Sequence, residues 1–81
     1  MKVHVQFFSR LRDVARMSET EIELPAGSTA AGLLELLYLR TPALRDWDKS
    51  ILLASGVEFV GRDYALRPGD QISIMPPVQG G

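Results

Sequence analysis

The chain has 81 residues, 46% of them hydrophobic and 23% charged, a composition that fits one small folded domain and argues against a disordered chain. A formal net charge of -1 gives no general attraction for a polyanion, so neither nucleic acid nor an anionic membrane is an expected partner. The chain contains no cysteine, which excludes disulfides, thiolate metal sites and cysteine nucleophiles.

From Lys2 to Phe8 polar and apolar residues alternate. Val3, Val5 and Phe7 share one face, and Lys2, His4, Gln6 and Phe8 the other, which predicts a half-buried strand with an aromatic on its solvent side. No apolar run here or later is long enough for a signal peptide or a membrane span, so a soluble, cytoplasmic protein is expected. Ser9 is placed to cap a short helical turn, with Leu11, Val14 and Ala15 inward and Arg10, Arg12, Asp13 and Arg16 in solvent. A second alternating run sets Thr20, Ile22 and Leu24 against Glu19, Glu21 and Glu23, and Pro25-Ala26-Gly27 ends it in a turn.

Ser28 or Thr29 supplies the N-cap of a helix from Ala30 to about Leu39. Its inward stripe is Leu33, Leu36 and Leu37, broadened by Leu34, Tyr38 and Leu39. Pro42 disfavours helical geometry at Thr41, and Pro42 to Asp48 reads as an irregular loop anchored by a buried Trp47. Ile51–Ala54 and Val57–Val60 read as a hairpin turning at Ser55-Gly56. Alternation groups Phe59 with Val57, but the register that would fix its exposure is not legible. After the turn Arg67-Pro68-Gly69-Asp70, the run Gln71–Met75 points Ile72 and Ile74 inward and Met75 outward. The fold class is α+β, a mixed sheet with one main helix packed across it.

Beyond Met75 the chain reads Pro76-Pro77-Val78-Gln79-Gly80-Gly81. The division is therefore a domain over 1–75 and an extended, flexible tail over 76–81. Two prolines favour an extended path, so six residues reach roughly 18 Å at about 3.1 Å each. Two terminal glycines let the backbone pass a narrow channel, which makes the carboxylate of Gly81 the candidate reactive group.

The ending Asp70 to Gly81, the opening Val5-Gln6-Phe7-Phe8-Ser9-Arg10-Leu11-Arg12-Asp13, the Pro25-to-Leu37 turn and helix, and Leu66-Arg67-Pro68-Gly69-Asp70 together resemble the molybdopterin synthase small-subunit family, the MoaD-like sulfur carriers. The resemblance covers nearly the whole chain and implies a β-grasp, ubiquitin-like fold. It further implies that Gly81, with Gly80 before it, is adenylated by a separate ATP-using adenylyltransferase (MoeB-like, of the ubiquitin-activating E1-like type) and becomes a thiocarboxylate. The loaded tail would then enter a large subunit (MoaE-like), in a heterotetramer, and give its sulfur to a pterin precursor of the molybdenum cofactor. On this reading the chain binds no cofactor and is not catalytic alone. Phe8, Phe59 and Met75 match apolar partner-binding positions of the family, and Pro76, Pro77, Val78 and Gln79 complete the partner-binding stretch. Met75 stands where many relatives have an aromatic, and Ser55-Gly56 where Asn-Gly is frequent.

The remaining polar residues carry weaker signals. His4 is a lone histidine on an outward face, for which a surface role outweighs metal ligation. Arg10, Arg12, Asp13 and Arg16 fit either a solvated face, the favoured reading, or steering toward an acidic groove. Asp46 and Asp48 flank Trp47, and a loop anchored by the buried indole is favoured over acid–base work by the paired carboxylates. Two alternatives stay open: the same carrier chemistry serving thiamin thiazole synthesis, tRNA thiolation or protein conjugation, and a non-catalytic β-grasp interaction module.

Overall fold

Alternation along the first residues forms the strand β1 (Lys2–Phe7), which buries Val3, Val5 and Phe7. The computed structural model describes residues 1–77; Val78, Gln79, Gly80 and Gly81 lie outside them. A short helix, α1 (Arg10–Ala15), leads into β2 (Glu19–Glu23), antiparallel to β1 with Val3 opposite Ile22. The main helix α2 (Ala30–Arg40) follows, then a 3₁₀ helix over Pro42–Ser50. The strands β3 (Leu52–Ser55), β4 (Glu58–Val60) and β5 (Gln71–Met75) complete the sheet in the order β2-β1-β5-β3-β4.

The centre of the sheet is a parallel pair, β1 with β5, in the register Val5 to Ile72 and Phe7 to Ile74. Ile72 and Ile74 therefore fall on the same face as Val3, Val5 and Phe7, and α2 closes that face with Ala30, Leu33, Leu34, Leu37 and Tyr38. Thr29 caps α2, its Oγ1 accepting from the Gly32 N–H at 3.4 Å, which satisfies one of the helix's otherwise unpaired donors. Among the described residues no helix is long and apolar enough to cross a membrane.

Five expectations change. Ser9 precedes α1 but makes no side-chain cap bond; at φ 53 and ψ -132 its hydroxyl is not held over the first turn as an extended N-cap would hold it. Leu39 faces solvent at 74% exposure, since two positions on from Leu37 is about 200° round a helix. Pro42 to Asp48 is part of a 3₁₀ helix, not an irregular loop. Pro42 presets its first turn, and Leu44 and Trp47, three apart, line up on one edge. Trp47 packs against the core but is half-buried rather than buried. The hairpin turns one residue later than expected: Ser55 pairs with Glu58, so Gly56 and Val57 form the loop, with Gly56 at φ 60, which suits glycine.

Leu33 has no exposed surface and lies at the centre of this core. Leu33→Ala is expected to lower the free energy of unfolding by about 2–5 kcal/mol. Leu39→Ala should change it by less than about 0.5 kcal/mol. Urea unfolding of the two variants measures the difference.

Candidate functional site

The face of the sheet away from α2 carries the apolar residues that the core leaves over. Register places Ser73 of β5 between Gln6 of β1 and Ala54 of β3, with Phe59 of β4 opposite Ala54. The next row pairs Met75 with Leu52. Phe8 continues the parallel ladder, its N–H donating to the Ile74 carbonyl at 3.0 Å, and so sits beside Met75 in that row. Phe8 is 41% exposed, Phe59 71% and Val57, at the hairpin tip, 99%. Met75 and Leu52 are half-buried. An apolar surface of this kind on so small a domain is a candidate contact site.

Phe8 and Met75, expected to face outward, thus lie on one face, and Phe59, whose exposure was open, is exposed on the same face two strands away. Leu52 and Val57 were not singled out in the sequence. Leu52 is one register step from the strand's buried residues, and Val57 became a loop residue only with the shifted turn. Pro76 is half-buried and Pro77 exposed where the chain leaves β5. The expectations for Val78, Gln79, Gly80 and Gly81 fall outside the described residues.

Two hydrogen-bonded clamps hold the elements behind this face. Asp70 accepts from Ser55 Oγ at 2.9 Å, Tyr64 OH at 2.9 Å and the Arg67 N–H at 3.0 Å, fastening the hairpin to the turn before β5. Burial pushes the Asp70 carboxyl up, and these three hydrogen bonds together with the Arg67 charge outweigh it, leaving it below its ordinary value. Asp48 ties the 3₁₀ helix to α2 and to the segment after β4: it accepts from Tyr38 OH and pairs with Arg62 at 2.9 Å. The Tyr38 hydrogen bond and the Arg62 charge hold the Asp48 carboxyl low against its desolvation. Burial, then the bond to Asp48, pushes the Tyr38 phenol up to about 12. Asp48 is therefore an anchor, a role the sequence reading gave to the Trp47 indole, and its partners Tyr38 and Arg62 were not foreseen.

His4 lies on the outer face with Nε2 3.6 Å from Glu19. Among the described residues no three His, Cys, Asp or Glu side chains come together to hold a metal ion. The described residues thus offer an exposed apolar face beside the base of the chain's last segment.

A family model described as the ThiS family matches residues 5–81. The molybdopterin synthase sulfur carrier subunit of Chlamydomonas reinhardtii is 34% identical over 83 residues, which span the whole of both chains. A Pyrococcus furiosus protein described as a candidate molybdopterin converting factor subunit 1 superimposes with a TM-score of 0.87 at 32% identity, covering 96% of this chain and 99% of that one. SAMP1 of Haloferax volcanii, a small archaeal modifier protein, gives 0.86 at 25% identity with full coverage of both. The β-grasp, ubiquitin-like fold implied by the resemblance is the fold of this chain.

The clamps predict an acid-sensitive fold. Asp48 and Asp70 both have folded-state pKa values below their ordinary 3.8, so their contribution is fully present above that value and is lost as pH falls through the folded one. Urea midpoints measured downward from about pH 6 to about pH 3 should fall, and Asp70→Asn should flatten the decline. An equal decline in the variant would remove Asp70 from the acid response.

Proposed function

The chain belongs to the ThiS family, and from that membership we propose that it is a sulfur carrier, the small subunit of a molybdopterin synthase acting in the cytoplasm. The observation that carries this reading is the end-to-end match, at 34% identity, with the sulfur carrier subunit from Chlamydomonas. The exposed apolar face beside the tail's base supports it, since a carrier must be held by its partners while its end reaches their active sites.

The chemistry follows from what a carboxylate lacks. It is a poor acyl donor, so an oxygen of the Gly81 carboxylate attacks the α-phosphorus of ATP on a MoeB-like adenylyltransferase and pyrophosphate leaves. A sulfide-level sulfur donor attacks the acyl carbon of the resulting adenylate, AMP leaves, and Gly81 ends as a thiocarboxylate. Gly80 and Gly81, without side chains, let the end pass through a narrow entry. Pro76 and Pro77 stiffen the base, and Val78 and Gln79 lie along the partner's cleft. Phe8, Phe59 and Met75 dock the domain on the activating enzyme and then on a MoaE-like large subunit, two of each chain forming a heterotetramer. The sulfur passes there to a pterin precursor. ATP is bound by the activating enzyme, and this chain holds no cofactor.

The likeness to SAMP1 favours a second reading, attachment of Gly81 to protein lysines. One experiment separates the two. Incubation with a MoeB-like enzyme, ATP and a sulfur source should raise the intact mass by the difference between sulfur and oxygen, with the change confined to the C-terminal peptide, and the product should load a MoaE-like subunit. An unchanged mass would overturn the carrier reading, and lysine adducts in place of loading would favour the modifier.

A further inference from the structure

At the base of the tail the chain leaves an open groove walled by Ser9, Arg10, Asp13, Trp47, Pro76 and Pro77. Trp47 packs against the core but keeps part of its ring free. The Arg10 guanidinium lies 5.9 Å from the centre of that ring, within cation–π reach, so its plane is steadied from one side. Ser9, at φ 53, turns the corner between β1 and α1 that brings Arg10 here. Arg10 is exposed, and no ion pair joins it to a carboxylate among the described residues.

Two features say what covers the groove. Its far wall is Pro76-Pro77, so a protein that receives the tail must lie over it. Its wall also carries a free cation: Arg10 is exposed, and Asp13, the one carboxylate on the wall, makes no ion pair with it among the described residues. A steadied guanidinium presents a planar fork that matches a carboxylate, and tryptophan and arginine are the side chains on which protein contacts most depend.

We propose that this groove is a second docking site for the protein that receives the tail, and that it seats a loop of that protein with a carboxylate on Arg10 and an apolar group against Trp47. It rests on the carrier reading and adds to it a contact outside the sheet face, which sets the orientation of the docked domain.

The test is titration of the full chain into its MoaE-like large subunit at low and at high salt. Arg10→Gln changes only an exposed side chain. It should weaken binding about tenfold at low salt and much less at high salt, where the wild-type advantage is screened. Trp47→Phe, which keeps a ring in the groove, should stay within about threefold. Arg10→Gln binding within about threefold of wild type at low salt would overturn the groove while leaving the carrier reading intact. A change in self-association of the chain, with partner affinity unmoved, would also overturn it, because the occupant would then be a second copy. Failure of the wild-type chain to bind the large subunit would instead remove the carrier reading, and the groove with it.

Discussion

The parallel pairing of β1 with β5 is the constraint on which the molecule depends. It joins residues from the two ends of the sequence, Val5 to Ile72 and Phe7 to Ile74, and so must be closed over nearly the whole chain before it stabilises anything. Once formed, it sets the inner row of five apolar side chains that α2 covers. Because the strands run the same way, they also end at the same edge. Phe8 and the root of the tail, Met75 to Pro77, therefore emerge side by side, and the outer apolar face reaches that root as a result of topology.

From that pair outward each face is put to a separate use. The inner face is saturated by α2, and the outer face keeps Phe8 and Phe59 exposed and Met75 and Leu52 half-buried, with no helix among the described residues packed over them. Holding these residues exposed requires the hairpin and the 3₁₀ helix to stay where they are. Asp70 and Asp48 do that with clusters of hydrogen bonds rather than apolar contacts. Clamps of this kind leave the outer surface free and make the fold sensitive to acid.

Much of this was legible where one period ran unbroken. Alternation along Lys2–Phe8 and Gln71–Met75 assigned the inner and outer residues correctly, because a strand's period of two leaves only one register with a clean apolar face. Leu33, Leu34 and Leu37 of α2 were legible from the helical period, whereas Leu39 was misplaced and Thr29 was one of two cap candidates. Reading failed where two solutions had similar local cost. A two-residue loop fits Ser55-Gly56 as well as Gly56-Val57 from sequence alone, and the exposure of Phe59 hangs on that choice. The 3₁₀ run was hidden because its three-residue spacing, Leu44 to Trp47, also occurs by chance in loops. Tyr38, Arg62, Ser55 and Tyr64 joined the clamps only through tertiary approach, for which spacing holds no signal. At the tail's base, Trp47 and Arg10 were each visible, but their meeting across the groove was not.

The proposed division between a domain that docks and a tail that reacts is one that kinetics can separate. The most direct measurement is steady-state adenylation by the MoeB-like enzyme of Phe59→Asp and of a chain lacking Gly81. Phe59→Asp should raise KM about tenfold or more with kcat little changed, since it removes binding that ground and transition states share. The chain lacking Gly81 should still bind the enzyme yet give no turnover. A fall in kcat at constant KM for Phe59→Asp, or adenylation of the shortened chain, would contradict the division between docking face and reactive end.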